Sequence, residues 1–307
     1  RSIWVTGVQT CALPIYFRAR PGSTHGYDVV DHSTLNPELG TSEDFDRFIA
    51  ALREHGLAQI LDIVPNHVGV MGADNAWWMD VLENGPASTH AEVFDIDWEP
   101  ADPALAGKLL VPVLGDMYGR TLERGEIVLR FERESGSFAA YYHEHRFPLD
   151  PREYPRVLTR ALDALRSNAL SAEDREDFTS LIDAFARLPS RNDADTERIA
   201  ERQRDKEVQK RRLLRLLERA PPLAPAIEGA VAALNRPDAD ALHEILDAQA
   251  WRLAYWRVAP DEINYRRFFD VNDLAALRME NDAVFDAAHA FALDLVAQLY
   301  GDRKSVV

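Results

Sequence analysis

Cysteine is nearly absent from this chain: Cys11 stands alone among 307 residues. One thiol cannot close an intrachain disulfide, so the core must hold the fold, and a reducing, cytoplasmic compartment fits. Long apolar runs are missing too; no stretch approaches the roughly 20 apolar residues that a membrane helix needs. Positive charge is in deficit. The 35 Lys and Arg face 51 Asp and Glu, a formal net charge of −16. That sign repels phosphate backbones and anionic lipid, so nucleic acid and membrane are poor partners. There is no internal repeat and no low-complexity tract. What is there, 46% hydrophobic and 28% charged residues, is ordinary globular composition.

Both ends read as foreign to the rest. Residues 1–15, RSIWVTGVQTCALPI, interrupt any signal-peptide core with Thr6, Gly7, Gln9, Thr10 and Pro14. Residues 302–307, DRKSVV, drop the periodicity of the segment before them. Both have the look of translated adapter sequence, which leaves 16–301 as the interpretable stretch and Cys11 without meaning.

Residues 18–40 read as a polar loop punctuated by Pro21, Gly22, Gly26 and Pro37. Thr41 and Asp44 match a capping box. Phe45, Phe48, Ile49 and Leu52 then form one apolar helix face, closed by Gly56. Leu57 to Val64 is short, apolar and ends at Pro65, as a buried strand of a parallel sheet does. Loop, helix and buried strand together predict an α/β fold. Short strands are expected at Leu109–Leu114, Glu126–Arg133 and Phe138–His143, with Gly136 as a turn. Helices are expected at 156–166, 173–187, 196–219, 239–257 and 271–300. The charge run at 200–213, AERQRDKEVQKRRL, mixes both signs and reads as a solvated helix face with i,i+4 pairing.

The chemistry-bearing residues lie where the expected strand ends. Asp62 sits inside it and needs a partner, with an arginine from a neighbouring strand as the expected one. Asn66 and His67 follow Pro65, at the end of a parallel strand where ligands bind, and both can hydrogen-bond sugar hydroxyls. The alternative is structural: an Asx turn at Asn66 and a core histidine at His67. His143 and His145 lack a third ligand, so no metal is expected. His243-Glu244 lacks the second histidine of a zinc-protease helix.

Asp62-Ile63-Val64-Pro65-Asn66-His67 resembles the first conserved region, D-x-V-x-N-H, of the α-amylase family of glycoside hydrolases. Ser23-Thr24-His25-Gly26-Tyr27-Asp28-Val29-Val30-Asp31 resembles the loop that precedes it. Residues 77–86 (WWMDVLENGP), 94–98 (FDIDW) and 262–274 (EINYRRFFDVNDL) resemble a narrower branch of that family, one that rearranges maltodextrins within a single chain. The resemblance implies a partial (β/α)8 barrel with a large, mainly helical insertion after strand 3. Residues 16–70 would be early barrel, 71–257 the insertion and 258–301 the return to the barrel.

The resemblance also implies roles. Tyr27 would floor the reacting subsite, His67 would hydrogen-bond the reacting glucose, and Asn66 would stabilise the loop. Asp62 would brace an arginine near the nucleophile. Asp28 and Asp31 are site candidates or turn residues. Trp77 and Trp78 are sugar platforms or core of the insertion. The family's nucleophile, general acid and third carboxylate are expected beyond this stretch, which would leave it a fragment without activity of its own. The implied reaction converts the reducing-end α-1,4 bond of a maltooligosaccharide into an α,α-1,1 bond, leaving a trehalose unit. It needs no cofactor and pairs with a trehalose-releasing hydrolase. A different α-amylase-type hydrolase or glucanotransferase, or a non-catalytic carbohydrate-binding module, is the rival reading.

Overall fold

The computed structural model describes residues 15–57, 59–236 and 240–300. Expectations placed on 1–14, Cys11 among them, and on 302–307 lie outside the described residues. In chain order the elements are β1 (Phe17–Ala19), β2 (Val29–Leu35), α1 (Ser42–Glu54), β3 (His67–Gly69), α2 (Ala76–Asn84), β4 (Leu109–Leu114), α3 (Tyr118–Glu123), β5 (Ile127–Glu132), β6 (Ser137–Tyr142) and β7 (His145–Pro148). There follow α4 (Pro155–Ala164), α5 (Ala172–Ala186), α6 (Thr196–Arg219), α7 (Leu223–Leu234), α8 (Asp240–Asp247), β8 (Trp251–Tyr255), α9 (Ala259–Glu262), β9 (Leu274–Ala276) and α10 (Asp282–Tyr300). They divide into two compact units. One holds the described residues up to 76, 93–95 and those from 267 onward; the other holds 77–92 and 96–266.

In the first unit β1 pairs antiparallel with β2, and β3 pairs antiparallel with β9 in the register His67↔Ala276 to Gly69↔Leu274. The capping box of α1 forms as expected, with Thr41 accepting from the Asp44 amide and Asp44 accepting from the Thr41 amide. The apolar face of α1 buries Phe45 and Ile49 against Leu295 of α10, with Tyr16, Leu35, Leu52 and Leu61 packed around them. A neighbouring cluster joins Ile15, Phe17, Val29, Val64 and Ala292.

The segment expected as a buried strand departs from expectation. Val64 is core, but Leu57 is 61% and Ile60 71% exposed, and Ile63 is exposed as well. Among the described residues no strand forms a backbone ladder with 59–64, although His32 of β2 is bonded through its ring to the Val64 carbonyl at 2.8 Å. An extended segment without a ladder partner on either side buries one face only. The strand forms three residues after Val64, where His67 to Gly69 find β9. The loop at 18–40 is also more ordered than its polar composition implies, because Val29 and Val30 carry β2 into the core.

The second unit contains a parallel pair, β4 with β8, aligned from Leu109↔Trp251 to Leu114↔Tyr255. Asn264 clamps its edge. Its amide donates to the Asp97 and Lys108 carbonyls, both at 2.8 Å, and its Oδ1 accepts from the Leu110 amide at 2.9 Å. β5, β6 and β7 form an antiparallel meander. Tyr154, just before α4, lies edge-on to Phe138 of β6 and against Phe185 of α5. The helix expected at 239–257 stops at Asp247. Trp251-Arg252-Leu253 alternates in burial and takes the strand that β4 offers. The helix expected at 271–300 starts at Asp282, because Leu274–Ala276 pairs with β3 and the Asn281 side chain accepts from the Ala283 amide. Helix α7 lies between the individual segments expected as helices, within the stretch 71–257 expected to be mainly helical.

Gly136 turns β5 into β6 with φ of 65°, and a Cβ there would lie 2.9 Å from the Lys210 carbonyl. Gly136→Ala therefore carries both a left-handed backbone cost of about 1–2 kcal/mol and a steric one. A drop of at least that size in urea-unfolding free energy is the expected result.

The charge run of α6 is also corrected. Arg202, Lys206 and Lys210, spaced i, i+4, i+8, form a buried stripe, with Arg202 fully buried. Arg202 donates to Asp150 at 2.6 Å, to the Pro189 carbonyl at 2.8 Å and to Asn84 at 3.1 Å. Lys206 and Lys210 grip the two oxygens of Glu83 at 2.5 and 2.6 Å, and Lys206 also reaches Asp80 at 3.4 Å. The carboxylates come from a distant part of the sequence, so local charge mixing could not show the pairing.

Candidate active-site cluster

The loop between β1 and β2 is folded by its own polar groups. The Arg20 amide donates to the Asp28 carbonyl at 3.0 Å, the Gly26 amide to Ser23 Oγ at 3.0 Å, and Ser23 Oγ in turn donates to the Asp28 carboxylate. The Tyr27 amide donates to His25 Nδ1 at 3.0 Å, and the two rings stack at 5.8 Å. Tyr27 is thereby presented with its ring about half exposed. Its hydroxyl donates to Asp62 Oδ2 at 3.2 Å, and that carboxylate raises the phenol pKa. The partner of Asp62 is thus Tyr27 rather than the expected arginine; among the described residues no arginine forms an ion pair with it.

β3 passes close beneath this loop. A Cβ on Gly69 would lie 3.1 Å from the Asp28 carbonyl, so a residue without a side chain permits the approach. His67 opens β3 and is buried. Its Nδ1 lies 2.9 Å from Asn66 Oδ1. An amide oxygen only accepts, so Nδ1 carries the hydrogen and Nε2 presents a lone pair. Nε2 is buried without a hydrogen-bond partner of good geometry. Burial pushes the imidazole pKa down, with the Tyr27 backbone acting the other way. The lowered pKa favours the neutral ring.

Phe268 covers the imidazole, with ring centroids 3.9 Å apart and planes 19° apart. No role for it was read from sequence. The only signal was the Arg266-Arg267-Phe268-Phe269 run, which says nothing about a histidine 201 residues earlier. Phe269 follows with φ of 51° and its ring on the surface, edge-on to Phe268 at 4.6 Å. Arg267 ties this turn together by hydrogen bonds to Asn272 and to the Asp270 carbonyl.

Tyr27, Asp28, Asp62, Asn66 and His67 are thus brought together. Asp31 is not. Its carboxylate accepts from the Ser33 amide and hydroxyl at 2.8 and 2.6 Å and from Thr34 at 2.9 Å, all within β2. Trp77 and Trp78 belong to the other unit. Trp78 is buried edge-on to Tyr265 at 5.2 Å, so it is core and not a sugar platform. Trp77 is partly exposed and stacks on His90 at 5.9 Å. No group of three metal-ligating side chains occurs among the described residues, and none of their helices is long and apolar enough to cross a membrane.

Residues 2–112 match the model of the alpha-amylase catalytic domain. A putative maltooligosyl trehalose synthase of Mycobacterium tuberculosis is 33% identical over 92% of this chain and 24% of its own length. Maltase A1 of Drosophila melanogaster is 43% identical over a shorter stretch, 28% of this chain and 14% of that protein. Among solved structures, maltooligosyltrehalose synthase from Arthrobacter ramosus has a TM-score of 0.54 at 28% identity, covering 92% of this chain and 25% of that one. A hypothetical maltooligosyl trehalose synthase of Sulfolobus tokodaii has a TM-score of 0.52 at 26% identity, covering 91% and 25%. The chain spans about a quarter of the length of these synthases. Over residues 2–112 it matches the alpha-amylase catalytic domain, its fold is partial TIM-barrel-like α/β, and over nearly its whole length it resembles the maltooligosyl trehalose synthases.

Proposed function

We propose that this chain serves in an intramolecular transglucosylase acting on maltooligosaccharides, in a polypeptide of the relatives' length. The reaction breaks the α-1,4 bond at the reducing end and rejoins the released glucose through an α,α-1,1 bond. One carboxylate forms a glycosyl-enzyme intermediate and a second acts first as acid and then as base, the retaining sequence. The trehalose-capped product then suits a trehalose-releasing hydrolase. A cytoplasmic setting accords with the absence of cysteine from residues 16–301.

The observation that carries this reading is the meeting of Tyr27, Asp62 and His67 in one unit, with His67 Nε2 buried and unpartnered. Leaving such an atom unsatisfied costs about 1–3 kcal/mol. A sugar hydroxyl seated there removes that cost. Tyr27 offers its exposed ring to the apolar face of the same sugar, while Asp62 holds the phenol and Asn66 holds the imidazole. Asp28 shapes the loop. Residues 71–257 are read as an insertion into the barrel, with 258–301 returning to it.

Product analysis tests the proposal. A polypeptide of the relatives' length carrying this sequence is expected to turn maltoheptaose into a non-reducing, trehalose-capped product. Short reducing sugars instead establish the hydrolase reading. The 307-residue chain alone is expected to show no transglycosylation, since the catalytic carboxylates belong to the remaining three quarters; turnover by the purified chain refutes that.

A further inference from the structure

A surface cleft in the second unit lies outside the cluster just described. It occupies about 320 Å³ between α3, the end of α7 and the start of α8. A smaller recess of about 60 Å³ shares two of its lining residues, Tyr118 and His243. These two are bonded to each other, with Tyr118 Oη 3.0 Å from His243 Nδ1. Burial and the Asp247 carboxylate push the Tyr118 pKa up to about 12, so the phenol keeps its proton.

The lining decides the ligand class. Glu123 and Asp240 supply carboxylate acceptors, Arg236 and His243 supply donors, and the Tyr118 ring with Leu122 supplies an apolar wall. Two carboxylates disfavour an anion, and Arg236 disfavours a simple cation. A neutral ring carrying hydroxyls on its edge and an apolar face matches all of them, and the volume falls within the ~300–1,000 Å³ of small-ligand sites. We propose that this cleft is a second carbohydrate-binding site, taking a glucosyl unit of an α-glucan away from the reacting end. The choice of α-glucan rests on the reading of the chain as part of a maltooligosaccharide-rearranging enzyme.

Affinity electrophoresis of the 307-residue chain through gels containing soluble starch tests it. Tyr118→Ala removes the wall and the bond that orients His243. Gly119→Leu blocks the cleft instead: a Cβ at Gly119 meets nothing within 4 Å, and leucine is the better helix former. Both variants are expected to weaken retardation about five- to tenfold with the unfolding midpoint of Gly119→Leu preserved. Retardation that persists undiminished in Gly119→Leu overturns the second site and leaves the proposed reaction standing. Absence of retardation in the unsubstituted chain also overturns the second site, and the product analysis still decides the reaction independently.

Discussion

Glu83→Gln lowers the unfolding free energy by about 3–5 kcal/mol, because it leaves Lys206 and Lys210 buried beside a group without charge. The magnitude follows from the geometry. Both ammonium groups are nearly excluded from solvent and both point at the same carboxylate. Burial by itself would raise the Glu83 pKa; Lys210 and Lys206 outweigh it and hold the carboxyl below the usual range. A compensating variant separates pairing from packing. Glu83→Leu combined with Lys206→Met and Lys210→Met removes all three charges and is expected to recover most of the loss. Urea denaturation measures both, and a single variant within about 0.5 kcal/mol of the parent contradicts the buried-stripe account.

The same pairing sets the response to acid. Asp80 is held low against burial by His90, Lys206 and Ser88, and Glu132 is held down to about 2 against burial by Arg146, Tyr141 and Ser137. A depressed folded-state pKa means that the unfolded chain binds the proton more readily. The stability these carboxylates contribute is complete above their unfolded values, near 3.8 and 4.5, and is lost as pH falls through the folded ones. His67 adds to the same trend over a higher range: its contribution is complete above its ordinary value of 6.5 and shrinks below it.

The second large effect is functional. In a polypeptide of the relatives' length, His67→Ala is expected to lower kcat/KM on maltoheptaose by about 30- to 1,000-fold, on the order of 2–4 kcal/mol of transition-state stabilisation. The imidazole is fixed by Asn66 on one side and Phe268 on its face, so its free nitrogen is positioned before substrate arrives. Such a group contributes more than a mobile surface side chain because no ordering cost remains at the moment of reaction. An unchanged kcat/KM removes His67 from the site.

Local physics made much of this chain legible. The capping box at Thr41 and Asp44, the turn at Gly136, strand β4 and helices α4, α5 and α6 depend on neighbours within a few positions, and each forms close to where its pattern places it. The hexapeptide from Asp62 to His67 also announced a polar cluster. What the pattern could not supply was partners. Whether residues 59–64 become a strand depends on a ladder neighbour, and whether Trp251 continues a helix or pairs with Leu109 depends on a segment 142 residues away. The charge of Arg202, Lys206 and Lys210 is visible in sequence, but their burial comes only with Asp80, Glu83 and Asp150 in place. Phe268 over His67 and the Tyr27 phenol on Asp62 are likewise long-range meetings. Periodicity and capping report short-range energetics. Which side chains lose their water, and against what, is decided only when the chain closes on itself.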